Sequence, residues 1–181
     1  MNISVRKANS YDAEMISLIG KISFRKAFGN VFDKNNLEEY LKNVYKPDKI
    51  EVSINRENNA WFVAELDDRP VGFAKVRKFS LNDEIESVSQ MQLEKIYVLP
   101  EYQGSGAGSR LLDEVLNLAL ELSPDYIWLD VYASNEKAIR FYERSGFKKE
   151  TTYHQGLGSQ HFEFHIMALP VHVDETLFCQ Q

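Results

Sequence analysis

The sequence is poor in the features that mark secreted and membrane proteins. Its 181 residues contain one cysteine, Cys179, which has no second cysteine in the chain to pair with. No apolar run approaches the roughly 20 residues of a membrane-spanning helix, and residues 1–7 lack the apolar core of a signal peptide. Positive charge is also scarce, since 21 Lys and Arg face 27 Asp and Glu. These absences predict a cytoplasmic protein that binds neither nucleic acid nor membrane and that is compatible with a cationic ligand.

The hydrophobic pattern predicts one mixed α/β domain over residues 1–170, followed by a C-terminal tail over 171–181. Short apolar or alternating runs, typical of strands, are separated by amphipathic segments typical of helices, and no linker or repeat divides them. Helices are predicted after a cap at Ser10 and over residues 36–45, and Gly146 suits the position just after a later helix. The polar, acidic stretch 80–89 predicts a loop. Two late antiparallel strands, 147–153 and 160–169, are predicted on either side of a Gly-Leu-Gly turn. A chain of this length can bury a sizeable core.

The segment 103–108, QGSGAG, is the most informative part of the chain. It follows a strand-like run at 92–98 and precedes a strongly amphipathic helical pattern. A glycine-rich turn in this setting leaves backbone N–H groups unpaired at the positive end of a helix dipole. Side chains there would hold a ligand away from the backbone, which is why glycine is needed. The segment therefore predicts an anion site, most naturally for a phosphate or pyrophosphate.

Three phosphate-binding motifs compete for this segment. A Walker loop requires Lys and then Ser or Thr after its last glycine, whereas Gly108 is followed by Ser and Arg. A dinucleotide fingerprint requires glycine at Ser109, although Asp130 lies at about the right distance for its acidic partner. Residues 99–103 also separate the strand from the glycines, unlike a dinucleotide turn. The third pattern is (Gln/Arg)-x-x-Gly-x-(Gly/Ala), and it is filled without exception by Gln103, Gly106 and Gly108.

A second motif follows the first at a short distance along the chain. After a strand-like run at 126–132, the segment 133–147 contains Asn-x-x-Ala-x-x-x-Tyr-x-x-x-Gly-Phe. Asn135 and Tyr142 are about two helical turns apart and so share one helix face. This ordered pair of motifs resembles the GNAT superfamily of N-acetyltransferases. The resemblance extends over roughly residues 3–169, with its sharp motifs between 92 and 147.

The resemblance implies an architecture and a cosubstrate. The expected fold is a mixed, mostly antiparallel sheet flanked by helices, with a central pair of parallel strands that splay apart. Acetyl-coenzyme A is the implied cosubstrate, without a metal, and its pantetheine arm is expected to pair with an exposed strand edge. The N–H of Val98 would point at the acetyl carbonyl. The implied cofactor-binding residues are Ile96, Tyr97, Val98, Gln103, Gly104, Ser105, Gly106, Ala107, Gly108, Ser109, Asn135 and Tyr142.

Acetyl transfer to an amine requires a polarised carbonyl, an unprotonated amine and a stabilised thiolate leaving group. The resemblance assigns Tyr142 as general acid toward the thiolate, against the alternative of a core aromatic residue. Glu94 is the candidate base, and its alternative is a solvated or salt-bridged residue beside Lys95. Asp130 is a weaker candidate base. Asn135 either contacts the pantetheine, directly or through water, or only begins a helix. Direct attack without a covalent enzyme intermediate is expected.

The four histidines form no recognisable metal-binding pattern. Their spacing matches no tight ligand pair on a helix, and two of them fall on a predicted strand. Surface or strand positions are expected for His154, His161, His165 and His172.

The predicted acceptor is a small-molecule primary amine, and a resemblance to the bacterial PaiA-like branch implies spermidine or spermine. That resemblance lies in the helical segments 22–29 and 37–41 and in the strands 93–98 and 128–131. The alternatives left open are acetylation of a protein N-terminus or lysine, a non-catalytic acyl-coenzyme A sensor, and a dinucleotide-binding enzyme. The resemblance also allows a homodimer, which no residue specifies. Acidic residues that would attract a polyamine, or simply be solvated surface, are Asp33, Glu38, Glu39 and Glu84.

Overall fold

A computed structural model describes residues 2–157 and 160–171 of the chain. Within these ranges lie seven strands and five α-helices, and two 3₁₀ turns at Ser10–Asp12 and Pro100–Tyr102. The predictions for His172, for Cys179, for Gly158 and for the tail beyond residue 171 fall outside the described residues. In chain order the elements are β1 Ile3–Lys7, α1 Ala13–Phe28, α2 Lys34–Val44, α3 Pro47–Ile54, β2 Asn59–Leu66, β3 Arg69–Arg77, β4 Gln90–Val98, α4 Ala107–Leu122, β5 Tyr126–Tyr132, α5 Glu136–Arg144, β6 Lys148–Leu157 and β7 Gln160–Pro170.

The strands form one mixed sheet in the order β1-β2-β3-β4-β5-β7-β6. Every neighbouring pair is antiparallel except β4 and β5, which run parallel and pair over three positions, from Gln90↔Tyr126 to Gln92↔Trp128. Beyond Gln92 the two strands separate while each keeps its outer neighbour. The predicted mixed sheet with a splayed central parallel pair is therefore confirmed.

A β-bulge accompanies this separation. Val76 on β3 lies opposite Leu93, but the next residue, Lys75, lies opposite Lys95, so Glu94 is the extra residue of β4. A bulge bends its strand and changes which face the following side chains occupy. Leu93 and Val98 accordingly both pack on the α4 side of the sheet, which a regular two-residue alternation would not allow. The bulged residue, Glu94, thus lies two positions after Gln92, the last residue that pairs with β5.

Two hydrophobic cores fix the sheet between two helical layers. The larger core packs α4 and α5 on one face, and the predicted apolar stripe of α4 supplies Leu111, Leu112, Val115 and Ala119 to it. The second core packs α1, α2 and α3 on the opposite face around Ile16, Leu41 and Phe73. Burial on both faces holds the ends of β4 and β5 in place. None of the described helices is long and apolar enough to cross a bilayer.

Candidate functional site

A cavity of about 620 Å³ opens where β4 and β5 separate. It has two parts with different walls. One part, called here the loop arm, is bounded by the free edge of β4, the glycine segment 103–109 and one face of α5. The other part, called the aromatic arm, lies among α1, α2, β5 and the β6–β7 hairpin. Glu94 and Asp130 lie among the residues that line the cavity.

The edge of β4 offers backbone hydrogen-bond donors to the loop arm. The N–H of Leu99 donates to the Val71 carbonyl on the β3 side, at 2.8 Å. Successive amides of an extended strand point to opposite edges, so the N–H groups of Ile96 and Val98 point away from β3, into the gap left by β5. Tyr97 packs its ring into the α1–α3 core and also contributes to the cavity wall. The predicted strand edge is thus exposed where a ligand could add to it.

The glycine segment is shaped as an anion cradle. Gly104 and Gly106 adopt φ angles of 87° and 96°, a backbone region that glycine populates readily and other residues rarely do. Gly106 is the N-cap of α4. Within the described residues, no acceptor is bonded to the amides of Gly104, Gly106, Gly108 or Ser109. These donors lie at the positive end of a 16-residue helix, a setting that favours a phosphate group.

Two residues of this segment, Ser105 and Ala107, take part in bonds that hold the turn together. Ala107 is buried beneath α4, and its amide donates to Ser105 Oγ at 3.3 Å. The Ser105 amide in turn donates to the Tyr102 carbonyl at 3.2 Å. Neither Ser105 nor Ala107 is part of the cavity wall in the described chain. Their bonds hold the turn, and their neighbours present the free amides.

Lys137 is a component of the loop arm that the sequence interpretation missed. Its Nζ donates to Gln103 Oε1 at 2.8 Å, so it joins α5 to the glycine segment. Both residues line the cavity. An ammonium beside unpaired amides adds to the positive potential of the cradle. The signal was available in the sequence, because Lys137 lies two positions after Asn135 and therefore in the first turn of the helix that carries the second motif.

Asn135 and Tyr142 both line the cavity, as their predicted common face requires. Asn135 is the N-cap of α5, and its side-chain oxygen accepts from the Ala138 amide at 3.2 Å. Tyr142 is 8% exposed and packs edge-on against Phe141 and Phe147. Burial, followed by the negative potential of Tyr97 and Asp130, raises the pKa of the Tyr142 phenol above its usual value. The phenol is therefore held protonated and can donate a proton or a hydrogen bond near neutral pH.

Glu94 lies within a cluster of cations. Its Oε2 is 2.6 Å from Lys75 Nζ and 2.6 Å from Arg77 Nε, and its Oε1 is 3.3 Å from Lys95 Nζ. Burial opposes ionisation, but Lys95, Lys75 and Arg77 together outweigh it and lower the pKa of Glu94 to about 2. A carboxylate with this pKa is a weak proton acceptor. The bulge places Glu94 beside Lys75 and Arg77 of β3. These two cations lie 19 and 17 positions earlier in the chain, and the sequence analysis did not predict them as partners.

Asp130 is the second carboxylate of the cavity and has no cation within ion-pair distance among the described residues. It lies on β5 next to the splay, open to water in the cavity but enclosed by the cavity walls. This loss of bulk solvation raises the pKa of Asp130, and the charge of Lys95 opposes the change. A carboxylate with a raised pKa is a better proton acceptor than Glu94.

The aromatic arm was not predicted from the sequence. Its rings come from parts of the chain that are far apart, and Phe32 stacks on Phe162 with centroids 4.4 Å apart. Tyr132 meets Phe28 and Phe162 edge-on. No local pattern marks these residues, because each element contributes only one or two of them. The rings that line this arm are those of Phe24, Phe28, Phe32, Tyr40, Tyr132, Phe162 and Phe164.

The described histidines all lie on β6 or β7. His154 Nε2 is 3.4 Å from Glu163 Oε2, and His165 Nδ1 is 3.1 Å from the hydroxyl oxygen of Thr152. Over residues 2–157 and 160–171, no group of three or more His, Cys, Asp or Glu side chains is placed to hold a metal ion.

Comparison with known proteins gives a family, two groups of relatives and a shared fold. Residues 24–147 match the model of the acetyltransferase (GNAT) family. An uncharacterized N-acetyltransferase of Mycobacterium bovis is 34% identical over 108 residues, which span 60% of this chain and 65% of that protein. The spermine/spermidine N(1)-acetyltransferase of Bacillus subtilis is 33% identical over 79 residues, spanning 43% of this chain and 52% of that protein.

The fold is shared with a solved structure over nearly its whole length. The PaiA N-acetyltransferase from Thermoplasma acidophilum, in complex with coenzyme A, superposes with a TM-score of 0.77 at 22% identity. The superposition covers 94% of this chain and 99% of that one.

Proposed function

The chain belongs to the acetyltransferase (GNAT) family, and on that basis we propose that it transfers an acetyl group from acetyl-coenzyme A to a primary amine. One observation carries the proposal: the free edge of β4, the unpaired amides of the glycine segment and the Tyr142 side chain all border one cavity. The relatives are named as N-acetyltransferases, and one solved structure of this fold holds coenzyme A. A catalytic role also distinguishes this chain from an acyl-coenzyme A sensor, which has no need of a buried proton donor.

The loop arm fits coenzyme A chemically. Four amides that have no acceptor within residues 2–157 and 160–171, together with the Lys137 ammonium, suit a pyrophosphate. The amides of Ile96 and Val98 suit the carbonyl groups of a pantetheine arm. A Cβ at Gly104 would meet no protein atom within 4 Å, so a side chain there would occupy the space beside these amides. Asn135 and Tyr142 supply polar atoms on the opposite wall. We assign the pyrophosphate to residues 103–109 and the pantetheine to the β4 edge.

The residues of the chain meet the three demands of acetyl transfer. Acetyl-coenzyme A supplies the acetyl group as an activated thioester. The Val98 N–H, at the free edge of β4, donates to a carbonyl oxygen and so stabilises negative charge that develops there. Tyr142 donates a proton to the thiolate as it leaves. Asp130 receives the proton that the attacking amine gives up. No side chain of this set forms a covalent bond to the acetyl group.

Asp130 is a better candidate than Glu94 for the proton acceptor, because no cation of the described residues is ion-paired with it. The sequence prediction favours Glu94, and that assignment stays a prediction. Three cations stabilise the charged form of Glu94 and reduce its tendency to take a proton. Glu94 then acts as the centre of an ion cluster that holds the bulge of β4 in place.

Two classes of amine are candidate acceptors, namely polyamines and the amino groups of proteins. Spermidine and spermine are favoured by the likeness to the Bacillus subtilis spermine/spermidine N(1)-acetyltransferase and by the fold shared with the PaiA enzyme. Acetylation of a protein N-terminus or lysine is the second class and requires space for a peptide. The homodimer and the cytoplasmic location stay predictions from the sequence.

The first test is thiol release from acetyl-coenzyme A by the purified chain. The panel holds spermidine, spermine, primary monoamines and short peptides, and we expect release that depends on the added amine. Affinity for a nicotinamide dinucleotide is measured in parallel, and it should be absent because Ser109 stands where a dinucleotide fingerprint has glycine. Binding of coenzyme A without release on any acceptor would contradict the proposed transfer and favour a sensor.

Substitution of Asp130 and Glu94 separates catalysis from stability. We expect Asp130→Asn to lower kcat/KM by about 100-fold or more, as the loss of a general base does, without a large change in melting temperature. Glu94→Gln removes the anion that three cations share, and we expect it to lower the melting temperature first. Steady-state kinetics and thermal melts of both variants show which carboxylate accepts the proton and which one stabilises the fold. A loss of turnover larger in folded Glu94→Gln than in Asp130→Asn would return the base to Glu94.

The same ion cluster predicts how stability depends on pH. The pKa of Glu94 is lowered from 4.5 to about 2 on folding, so its contribution is complete above about pH 4.5 and is lost as the pH falls through about 2. That shift corresponds to a stabilisation on the order of 3 kcal/mol. Urea unfolding of the wild type between pH 5 and pH 2 should show this loss, and Glu94→Gln should show less of it.

A further inference from the structure

The aromatic arm is built to bury an apolar body. Phe24 and Phe162 are themselves almost fully buried, and their rings and five others line the space beyond Asp130. Aromatic faces stabilise apolar groups by burial, and a ring face also attracts an ammonium through its quadrupole. The rings meet each other directly, at centroid distances of 4.4 to 6.1 Å. The seven rings are those of Phe24, Phe28, Phe32, Tyr40, Tyr132, Phe162 and Phe164.

The charges around this arm do not suit an acceptor with several ammonium groups. Lys75, Arg77 and Lys95 surround Glu94, so its negative charge is already matched within the protein. Asp130 is then the one lining carboxylate of the described residues without a cation partner. It can face one ammonium, the reacting one. Further ammonium groups of a polyamine would be desolvated against aromatic carbon without a counter-charge, which is costly.

Acidic residues elsewhere do not supply the missing counter-charges. The four carboxylates that the sequence suggested for polyamine attraction are absent from the cavity wall of the described chain. Glu38 is paired with Arg25 at 2.9 Å, and Asp33 caps α2. These residues are surface and helix-end groups.

A side-chain bridge crosses one side of the aromatic arm. Gln160, at the start of β7, donates from Nε2 to the Val31 carbonyl at 3.0 Å and accepts from the Asp33 amide at 2.6 Å. The Phe32–Phe162 stack lies beside this bridge. Together these contacts join the α1–α2 connection to the β6–β7 hairpin, the two elements that face each other across the arm. A peptide acceptor needs that gap open.

From these three observations we infer that the acceptor is a small primary monoamine with an apolar body, either an aryl or a branched alkyl group. The inference deepens the proposed function and rests on it. The amino group lies at Asp130, and the apolar body fills the space among the aromatic rings. Positive charge beyond the reacting amine is disfavoured, and so is a polypeptide extension.

The test compares apolar monoamines with a polyamine and a peptide as acceptors on the full chain. The kcat/KM values for 2-phenylethylamine and isopentylamine are measured against those for spermidine and for a short peptide with a free N-terminus. We expect the two apolar monoamines to exceed both of the others by at least tenfold. Added salt should leave the monoamine values nearly unchanged, because burial of apolar area carries the binding.

A matched pair of variants tests the role of charge in the arm. Phe28 is half-buried, at the end of α1, and accepts a polar side chain more readily than the buried rings. Phe28→Glu adds a second unpaired carboxylate, and we expect it to shift the ratio of kcat/KM for spermidine over 2-phenylethylamine upward by at least tenfold. Phe28→Gln has the same shape without the charge and should not produce this shift. Thermal melts establish that both variants are folded.

The outcomes separate this inference from the proposed function. A wild-type preference for spermidine, or turnover of peptides alone, would overturn the monoamine inference while leaving acetyl transfer intact. Absence of thiol release with every amine would refute the proposed transfer. Calorimetry on the coenzyme A-saturated protein then still shows which amine the pocket binds. Binding of 2-phenylethylamine in preference to spermidine supports the inferred class, and the reverse preference overturns it.

Discussion

Replacing Tyr142 with Phe should lower kcat by about 100-fold or more while leaving the affinity for coenzyme A nearly unchanged. The substitution removes one hydroxyl and keeps the ring that packs against Phe141 and Phe147. Among the described residues no hydrogen bond within the protein uses that hydroxyl, so its loss leaves no buried partner unsatisfied. Loss of a general acid typically costs 10²–10⁴-fold, which at about 100-fold is roughly 3 kcal/mol of barrier.

The measurement combines steady-state thiol release with coenzyme A titration by calorimetry. A thioester with a better leaving group needs less protonation of the thiolate. An activated acyl thioester should therefore recover part of the lost rate in Tyr142→Phe and little in Asp130→Asn. Equal turnover of Tyr142→Phe and wild type would remove Tyr142 from the mechanism and leave it as a core aromatic residue.

Replacing Gly106 with Val should abolish coenzyme A binding. Gly106 has a φ of 96° at the N-cap of α4, a conformation that a β-branched residue adopts only with strain. A Cβ there would also lie 3.4 Å from Ile3 Cδ1. The backbone is therefore expected to move to another region, which redirects the amides of the cradle. Loss of several charge-assisted hydrogen bonds to a pyrophosphate corresponds to at least a 100-fold loss of affinity.

Gly146→Val provides the matched control for this prediction. Gly146 has nearly the same φ, 92°, at the end of α5, and a Cβ there would lie 3.1 Å from Leu169 Cδ1. Both variants should lower the melting temperature through backbone strain. Only Gly106→Val should lose coenzyme A, as measured by calorimetry on protein shown to be folded. Retained affinity in Gly106→Val would refute the assignment of the glycine segment as the pyrophosphate site.

The helix boundaries show which features of the helices could be predicted from neighbouring residues in the sequence. The pattern of apolar residues predicts a helix from residue 36, whereas α2 begins at Lys34, because the Asp33 side chain accepts from the amides of Asn35 and Asn36. The sequence predicts Ser10 as the cap of the first helix, but Asn9 caps a 3₁₀ turn at Ser10–Asp12 and α1 begins at Ala13. Gly146 is at the predicted position after α5, with the positive φ that such a residue requires. Periodicity identifies an element, and the cap determines where it begins.

The ion cluster and the aromatic arm could not be predicted from neighbouring residues in the sequence. Glu94 is next to Lys95 in the sequence, which already suggested a salt-bridged alternative to catalysis. Its two closest cations, Lys75 and Arg77, reach it only through the β3–β4 register and the bulge. Gln160 contacts residues about 130 positions earlier in the chain. The residues that make such contacts are too far apart in the chain for a local sequence pattern to reveal them.

The sequence by itself predicted a mixed α/β domain, a glycine turn with unpaired amides and the common face of Asn135 and Tyr142, since these depend on hydrophobic periodicity, on backbone chemistry and on spacing within one helix. The tertiary structure alone decided which carboxylate is unpaired and what surrounds the acceptor. Ion pairing and burial are set by residues that pack together from separate strands and helices. A short-range pattern specifies donors and turns, but the charge and shape of a cavity come from all the elements that wall it.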